Sequence, residues 1–404
     1  MGKSFGEKLR SERLDRHLTQ AELGNGTLRA REVSLLESGR REPGPGAVRL
    51  LSGRLAAAAG GSGDGGDGAL FLELSARQAL DERDYHAACA QAGAAAQAAL
   101  AAGDTGTWWS MTYLAAASLH AAADYRGCIA ATAGLARHPL ALERAGFKAQ
   151  AETLLAAAYQ GIGELQTAVV HARAAVAAVS GPAPGAPVFQ AAAEALAAAL
   201  AEAGRLDEAW EYCRTLLLPL LEAGISRQMK GKVFWTAGNV AFRRGDPGTG
   251  LLHHRAAAGL LAPGTDVELW ARFNSSTAAA RLAAGIHDGE TLTCIEHAAA
   301  ATSAVGLHGP VPLEVDHSRA LWLDLNGEHV LAVTLLTEVY ARRAELPPQT
   351  AAEVALHLGL ALARSGRADA GTVYLADSEQ SFRSVGAGDR AAHAAALAHE
   401  IAAG

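Results

Sequence analysis

The sequence predicts an all-α protein, in which a small N-terminal domain with a helix-turn-helix is followed by a right-handed α-solenoid of stacked helix pairs. Half of the 404 residues are hydrophobic and only 5% are aromatic, so the core must be built from small side chains in close helix contacts. A glycine-rich run at residues 60–68 divides the chain. Turn markers then recur at an almost constant spacing, which is typical of a solenoid.

The N-terminal domain begins with a predicted helix over residues 5–17 that turns Phe5, Leu9 and Leu14 inward. Thr19, with Glu22 three residues later, forms a capping box, which marks the start of a short second helix.

The short second helix is followed by Gly24-Asn25-Gly26, residues that tolerate the backbone angles of a turn. A third helix is predicted from about Arg29. Val33 and Leu36, three residues apart, give this helix a buried side, and Gly39 ends it. A further helix over residues 47–58 is expected to close the domain.

This stretch resembles the phage-repressor type of helix-turn-helix, called the Cro or XRE family. The resemblance implies a DNA-binding domain of five helices that usually works as a dimer. In that family the residue after the threonine cap contacts DNA, and the first residues of the recognition helix reach base edges. Family members often have serine at the cap of the recognition helix, where this chain has Arg29. The first residue of this helix is therefore predicted only to within one position. The residues that carry the resemblance are Leu9, Leu14, Leu18, Thr19, Gln20, Glu22, Leu23, Val33, Ser34, Leu35, Leu36, Glu37, Gly39, Arg40 and Pro43.

The side chains around the third helix suit nucleic acid. Arginine makes paired hydrogen bonds to guanine in the major groove, and Glu32 can accept from cytosine. Ser34 and the arginines after the helix suit phosphates, which position a domain without reading sequence. The alternative is that these charges are only solvated. The predicted DNA-binding residues are Thr19, Gln20, Arg29, Arg31, Glu32, Ser34, Arg40 and Arg41.

The charge distribution favours nucleic acid at the N-terminus only. Residues 1–56 carry a formal balance of +4, whereas the rest of the chain carries −11. We predict a helix-turn-helix domain over 1–58, a flexible linker over 59–69 and a solenoid over 70–404 that binds a ligand or partner and dimerises. The linker prediction rests on its composition, which cannot bury enough apolar surface to fold.

Short turn sequences, each followed by a helix rich in small residues, recur every 39 to 41 residues and define the repeat. Each unit is predicted to contain a helix, a tight turn, a second helix and a looser loop. It resembles the tetratricopeptide repeat, although the period of that family is 34 residues. Eight units and a capping helix at about 390–402 would enclose a groove lined by the first helix of each pair. The markers start at Arg83, Ala123, Gly163, Gly204, Gly245, Ile286, Gly327 and Gly366.

In two of the repeats, the first helix carries polar and aromatic residues, although the surrounding sequence is rich in alanine. Asparagine offers a donor and an acceptor to a peptide backbone, arginine can pair a carboxylate, and indoles give apolar walls. The alternatives are that the tryptophans pack in the core and that the asparagines are satisfied by an adjacent turn. The predicted ligand-binding residues are Trp235, Asn239, Arg243, Trp270, Asn274 and Arg281, and weaker candidates are His317, Arg319, Trp322, Trp108, Trp109 and Tyr113.

A helix-turn-helix followed by a tetratricopeptide-like solenoid is similar in layout to the peptide-pheromone receptors of Gram-positive bacteria. In that family an asparagine on the groove helices holds the peptide backbone, which makes Asn239 and Asn274 candidates. The resemblance implies a homodimer on double-stranded DNA, with an inverted repeat as its site, and a solenoid that responds to a peptide, a small molecule or a protein. The alternative function is a protein-interaction scaffold with a non-specific or degenerate helix-turn-helix.

Other function classes find no support in the sequence. We expect no enzyme, because nucleotide-binding, zinc-protease and serine-hydrolase motifs are absent from the sequence, and we expect no cofactor and no metal. The N-terminus has no apolar signal segment and no stretch is long and apolar enough for a membrane, so we expect a cytoplasmic, nucleoid-associated protein. Cys89, Cys128, Cys213 and Cys294 are far apart and are expected to stay reduced.

Overall fold

The computed structural model describes residues 5–41, 47, 50, 51, 54, 55, 65–180, 186–307 and 309–403. The regular structure within these residues is helical, which confirms the predicted fold class. The chain forms two compact units, Met1–Leu154 and Leu155–Gly404. None of the helices in the described ranges is long and apolar enough to cross a membrane.

The first unit contains the predicted helix-turn-helix and the first helix pairs of the repeat. Its helices are α1 Phe5–Asp15, α2 Gln20–Gly24, α3 Ala30–Glu37, α4 Gly65–Asp81, α5 Tyr85–Ala101, α6 Thr105–Ala121, α7 Tyr125–Arg137 and α8 Pro139–Glu143, and α9 Ala145–Gly161 crosses into the second unit.

The second unit continues the same alternation of first and second helices. Its helices are α10 Leu165–Val179, α11 Pro187–Glu202, α12 Leu206–Tyr212, α13 Arg227–Arg243, α14 Pro247–Ala258, α15 Val267–Ala283, α16 Gly289–Val305, α17 Pro310–Leu325, α18 His329–Ala341, α19 Pro348–Arg364, α20 Ala368–Ser384 and the final α21 Gly388–Ala403.

Each of the eight predicted turns contains a residue with positive φ. Seven of these residues begin a predicted marker, and in the remaining turn it is Gly285, one residue before its marker. A left-handed residue ends the first helix sharply, which allows the second helix to fold back onto it. Six of the eight are glycines, whereas Arg83 and Ala123 adopt φ of 62° with a side chain that disfavours it.

The N-terminal helices share a small leucine-rich core. Leu9, Leu23 and Leu36 are buried in it, together with Leu70 and Leu74 of α4. The prediction for Leu14 is wrong, because that side chain is 51% exposed. The buried stripe of α1 runs instead through Gly6, Leu9 and Arg13, at spacings of three and four residues.

The predicted linker, 59–69, is described only from Gly65 onward, where α4 begins. The backbone of residues 65–69 is therefore helical, and these residues lead directly into Leu70, which packs in the N-terminal core. The helix predicted over 47–58 is described at five positions, all with helical backbone.

The second unit curls back on itself. The turn at Gly163 has a φ of +80°, and a methyl group added there would lie 3.2 Å from Val385 Cγ1 and 3.8 Å from Pro348 Cγ. Residues at the start of this unit thus contact residues about 200 positions later. This return of the chain gives the layer of first helices a concave side.

One second helix departs from regular geometry. After α12 the chain forms a π-helical turn at Cys213–Leu217 and a 3-10 turn at Leu218–Glu222. Pro219 lies in this segment and has no N–H to donate to the preceding turn, so the α-helical hydrogen-bond pattern cannot continue through it.

Candidate functional site

The exposed side of α3 carries the side chains predicted to contact DNA. Val33, Leu36 and Glu37 are buried, whereas Arg31 and Ser34, three residues apart, point away from the core. In the described part of the chain, Arg31 has no hydrogen-bond or ion-pair partner. An arginine that is exposed, unpaired and held on a helix is free to bind an anion or a base edge.

A buried ion pair fixes α3 against α1. Glu37 is 6% exposed and accepts from Arg13 Nε at 2.6 Å and from Arg13 Nη2 at 3.1 Å. Arg13 also donates to the carbonyl oxygen of Leu18 at 2.8 Å. Burial raises the pKa of Glu37, but the hydrogen bonds from Arg13 and Gln20 and the positive charges of Arg13 and Arg10 together lower it by more, so the net pKa lies below its ordinary value. The carboxylate is therefore charged in the folded domain.

Gln20, predicted to contact DNA, takes part in this network. Its amide nitrogen donates to Glu37 Oε2 at 2.8 Å, and its side chain is half-buried. Thr19 forms the predicted capping box, because its hydroxyl accepts from the Glu22 N–H at 3.2 Å and Glu22 accepts from the Thr19 N–H at 2.7 Å. Thr19 and Gln20 thus set the position of α2 beside α3.

Glu32 holds two neighbouring groups on the same surface. Arg29 is the residue before α3, and its N–H donates to Glu32 Oε2 at 3.0 Å, while Arg41 Nη1 lies 3.1 Å from Glu32 Oε1. The hydrogen bond from the Arg29 backbone, together with Arg41, lowers the pKa of Glu32. This carboxylate can reach a cytosine only by releasing a group it already binds. Arg40 is exposed, and its side chain has no hydrogen-bond or ion-pair partner in the described ranges.

In the second compact unit, the first helices of successive repeats form one layer, because side chains at equivalent positions form hydrogen bonds from one repeat to the next. Trp235 Nε1 donates to Ser276 Oγ at 2.5 Å, and His317 Nε2 lies 2.8 Å from His357 Nδ1. These pairs are separated by 41 and 40 residues, which is one repeat. The half-buried faces of α13, α15, α17 and α19 therefore line the concave side together.

The predicted ligand residues on α13 are partly used inside the protein. Trp235 packs edge-on against Phe273, with ring centroids 5.9 Å apart. Asn239 Oδ1 lies 3.1 Å from Nε2 of His254, a buried histidine. Arg243 pairs with Glu202 at 2.9 Å, at the surface. Of these three, Arg243 is the most accessible.

The predicted ligand residues on α15 hold the fold together. Asn274 is 2% exposed and donates to the Trp270 carbonyl at 2.8 Å, which is the alternative considered from the sequence. Arg281 is 4% exposed and binds Asp288 at 2.8 Å. It also donates to Thr291 Oγ1 at 2.8 Å. A ligand carboxylate could reach Arg281 only by displacing these partners, so Asn274 and Arg281 have structural roles here.

Trp270 and the weaker candidates divide between core and groove. Trp270 packs against Phe273 at 5.7 Å between centroids, and Trp109 is 1% exposed. His317 lies in the concave layer, 8% exposed and 2.8 Å from His357. Burial lowers the pKa of both histidines, so they are neutral near pH 7.

Sequence reasoning missed Glu314, three residues before His317 on the same side of α17. No charge partner or motif at a fixed spacing marked it. The four cysteines form no disulfide in the described part of the chain. Burial raises the pKa of Cys128 to about 11 and that of Cys213 to about 12, which makes both unreactive near neutral pH.

Comparison with protein-family models and with curated proteins finds no match to this chain. Among solved structures, a Rap protein complexed with Competence and Sporulation Factor matches with a TM-score of 0.52 at 11% identity, over 98% of both chains. The Rap conjugation gene regulator of plasmid pLS20, in complex with the Phr* peptide, matches with a TM-score of 0.50 at 14% identity, over 98% of this chain and 96% of that one.

PlcR of Bacillus thuringiensis, solved with the peptide PapR7 and DNA, matches with a TM-score of 0.41 at 13% identity, over 75% of this chain and 96% of that one. At these identities the two Rap structures show a shared fold. The helix-pair solenoid predicted from the spacing of the turns is therefore confirmed both by the helices and by the comparison.

Proposed function

We propose that this chain is a sequence-specific DNA-binding regulator whose solenoid binds a peptide effector. The observation that carries the DNA-binding half is the exposed surface of α3. Arg31 and Ser34 lie on the helix, Arg29 at its start, and Arg40 and Arg41 just after it, all on the solvent side. A helix with this pattern fits the major groove, with base contacts from the helix and phosphate contacts from its flanks.

The internal structure of the domain supports this proposal because it holds the helix still. The Arg13–Glu37 pair and the Gln20 hydrogen bond lock α1, α2 and α3 together from the buried side. Arg54 adds a closing contact, donating to the Glu22 carbonyl at 3.2 and 3.0 Å. Base recognition needs such preorganisation, since a misplaced arginine loses its paired hydrogen bonds.

The peptide-binding half of the proposal rests on the concave layer. This layer presents half-buried polar side chains beside Trp235, a mixture suited to an extended peptide. Both Rap structures were determined as complexes, one of them with the Phr* peptide, and we extend that ligand class to this chain. We also propose a homodimer that recognises an inverted repeat.

The experiment is a comparison of two arginine variants in DNA binding. Arg31→Ala should weaken binding by about 1–3 kcal/mol and relax base preference at one position, because in this proposal Arg31 contacts a base edge. Arg40→Ala should weaken binding to all sequences alike and lower the salt dependence by about one phosphate contact. Fluorescence anisotropy with selected and scrambled duplexes, at stated salt, measures both.

Arg126→Ala is the matched control, since Arg126 is an exposed arginine on α7 in the same unit and outside the helix-turn-helix. It should bind DNA like the unchanged protein. Identical behaviour of all three variants would contradict the assignment of α3 as the recognition helix.

A second candidate function is a protein-interaction scaffold. Val170, Leu252 and Val373, on second helices of different units, are 64%, 66% and 66% exposed. Exposed aliphatic side chains of this kind are suited to protein contacts. DNA fragments selected without sequence preference at every salt concentration would favour this function over the first.

A further inference from the structure

Four carboxylates of the concave layer are already neutralised by a neighbouring base. Glu194 pairs with Lys232 at 2.8 Å, and Glu202 pairs with Arg243 at 2.9 Å. The other two pairs are Glu268 with Arg272 and Glu353 with Arg390. Each pair brings no net charge to the surface, so it gives a ligand little electrostatic preference.

Glu314 differs from these four, because within the described part of the chain it has neither a hydrogen-bond partner nor an ion-pair partner. It lies on α17, one turn before His317, whose imidazole reaches across to the next first helix. Glu314 therefore lies on the side of α17 that forms part of the concave layer.

The residues that surround Glu314 belong to several repeats of the solenoid. Glu202 on α11, three units earlier, and Glu353 on α19, one unit later, both act electrostatically on its carboxylate, as does Arg272 on α15. Only the curvature of the layer brings side chains from helices so far apart in sequence to one place.

The environment of Glu314 is also poorly solvated. Surrounding atoms enclose the carboxylate, although part of the side chain remains accessible. Burial raises the pKa of Glu314, Arg272 lowers it by less, and Glu353 and Glu202 raise it, so the net pKa lies above its ordinary value. A carboxylate that is enclosed, has no ion-pair partner of its own and is still reachable gains most from a cation supplied from outside.

We propose that Glu314 is the anchor for a positively charged group of the peptide that binds the concave layer. The group is an ammonium or guanidinium, from a lysine or arginine side chain or from the peptide's N-terminus. This inference rests on the peptide-binding half of the proposed function and names its selectivity: the solenoid prefers cationic peptides. The aromatic ring of Trp235 and the neutral histidine pair carry no charge, so they leave the rest of the ligand less constrained in charge.

The test uses the full-length protein immobilised on beads and four libraries of synthetic heptapeptides. One position is fixed as lysine, arginine, glutamate or alanine, the other positions are randomised, and each library is made with a free and with an acetylated N-terminus. Retained peptides are identified by mass spectrometry, and enriched peptides are resynthesised for affinity measurement. The unchanged protein should enrich cationic peptides. Loss of enrichment on acetylation identifies the N-terminal ammonium, and its persistence identifies a side chain.

Glu314→Gln keeps the size of the side chain and removes its charge. We expect it to weaken binding of the enriched peptides by about 10- to 100-fold, the scale of one charge-assisted hydrogen bond. Its thermal stability should be equal to or higher than that of the unchanged protein, because the variant removes an enclosed and unpaired charge. Glu296→Gln is the matched control, an exposed glutamate on the second helix α16, and should change nothing.

Equal affinities of the unchanged protein and Glu314→Gln, or enrichment without preference for positive charge, would overturn the anchor and leave peptide binding standing. Retention of no peptide by the unchanged protein would overturn the anchor together with the peptide-binding half of the proposed function. The DNA-binding half is measured separately and does not depend on either result.

Discussion

The buried pair between Arg13 and Glu37 yields the sharpest prediction about the N-terminal domain. Glu37→Ala removes the acceptor of three hydrogen bonds, at 2.6, 3.1 and 2.8 Å, and leaves the 8%-exposed Arg13 without its counter-ion. Removing one partner of a buried pair costs about 3–5 kcal/mol. Arg13 keeps its bond to the Leu18 carbonyl, so we expect a loss of about 3 kcal/mol in local stability.

Hydrogen exchange of the full-length protein measures this loss, because it reports the opening of α1–α3 separately from that of the solenoid. A cost of about 3 kcal/mol corresponds to roughly a hundredfold faster exchange of the protected amides in these helices. Amides in the second unit should be unchanged and serve as the internal reference.

The double variant Arg13→Met/Glu37→Leu supplies the control for this reasoning. It removes both charges and fills similar volume, and such replacements of buried pairs are often neutral or stabilising. Exchange in the double variant should return to within about 1 kcal/mol of the unchanged protein. A Glu37→Ala effect below about 1 kcal/mol, or a double variant as unstable as the single one, would refute the argument.

The same pair predicts a pH dependence. The folded-state pKa of Glu37 lies below its unfolded value. Its contribution to stability is therefore complete above an unfolded pKa of about 4.3 and is lost as the pH falls through the folded pKa. In Glu37→Gln, this part of the acid sensitivity of α1–α3 should be missing.

The remaining predictions concern the solenoid. Ala123→Gly should stabilise its turn by about 0.5 kcal/mol, because glycine adopts positive φ without steric cost. Gly204 has a φ of +75°, so Gly204→Ala should destabilise its turn by about 1 kcal/mol. Equal effects of the two variants on thermal unfolding would count against the argument. Burial lowers the pKa of His254 to about 4. The unfolded chain takes up this proton below about pH 6.5 and the folded chain does not, so the free energy of unfolding should fall as the pH drops from about 6.5 to 4. His254→Gln should lose part of this decline in denaturant titrations, and an unchanged slope would contradict the assignment.

The elements that the sequence predicted well are those controlled by local chemistry. The capping box at Thr19 and Glu22 and the turn at Asn25 depend on residues a few positions apart, and each occurs where it was predicted. The repeat of the solenoid was predicted from turn markers, which are local and recur often enough to reveal the period, and the structure has a residue with positive φ in each of these turns.

Features that depend on distant residues were beyond sequence reasoning. Arg13 and Glu37 are 24 residues apart, and no pattern in either helix shows that they meet. Arg281 looked available for a ligand because its partners lie across a turn: Asp288 immediately before the next helix and Thr291 in its first turn. Glu314 was overlooked because its neighbours become visible only when the layer of first helices curves.

The central claim, that α3 reads DNA sequence, is tested most directly by selection from sheared genomic DNA. The full-length protein and Arg31→Ala are each incubated with fragments at one stated salt concentration, and the retained fragments are sequenced. We predict a few strongly enriched sites sharing an inverted repeat for the unchanged protein, and a loss of preference at one position in each half-site for Arg31→Ala. Uniform retention of fragments by the unchanged protein, with and without the peptides selected in the library experiment, would contradict the claim.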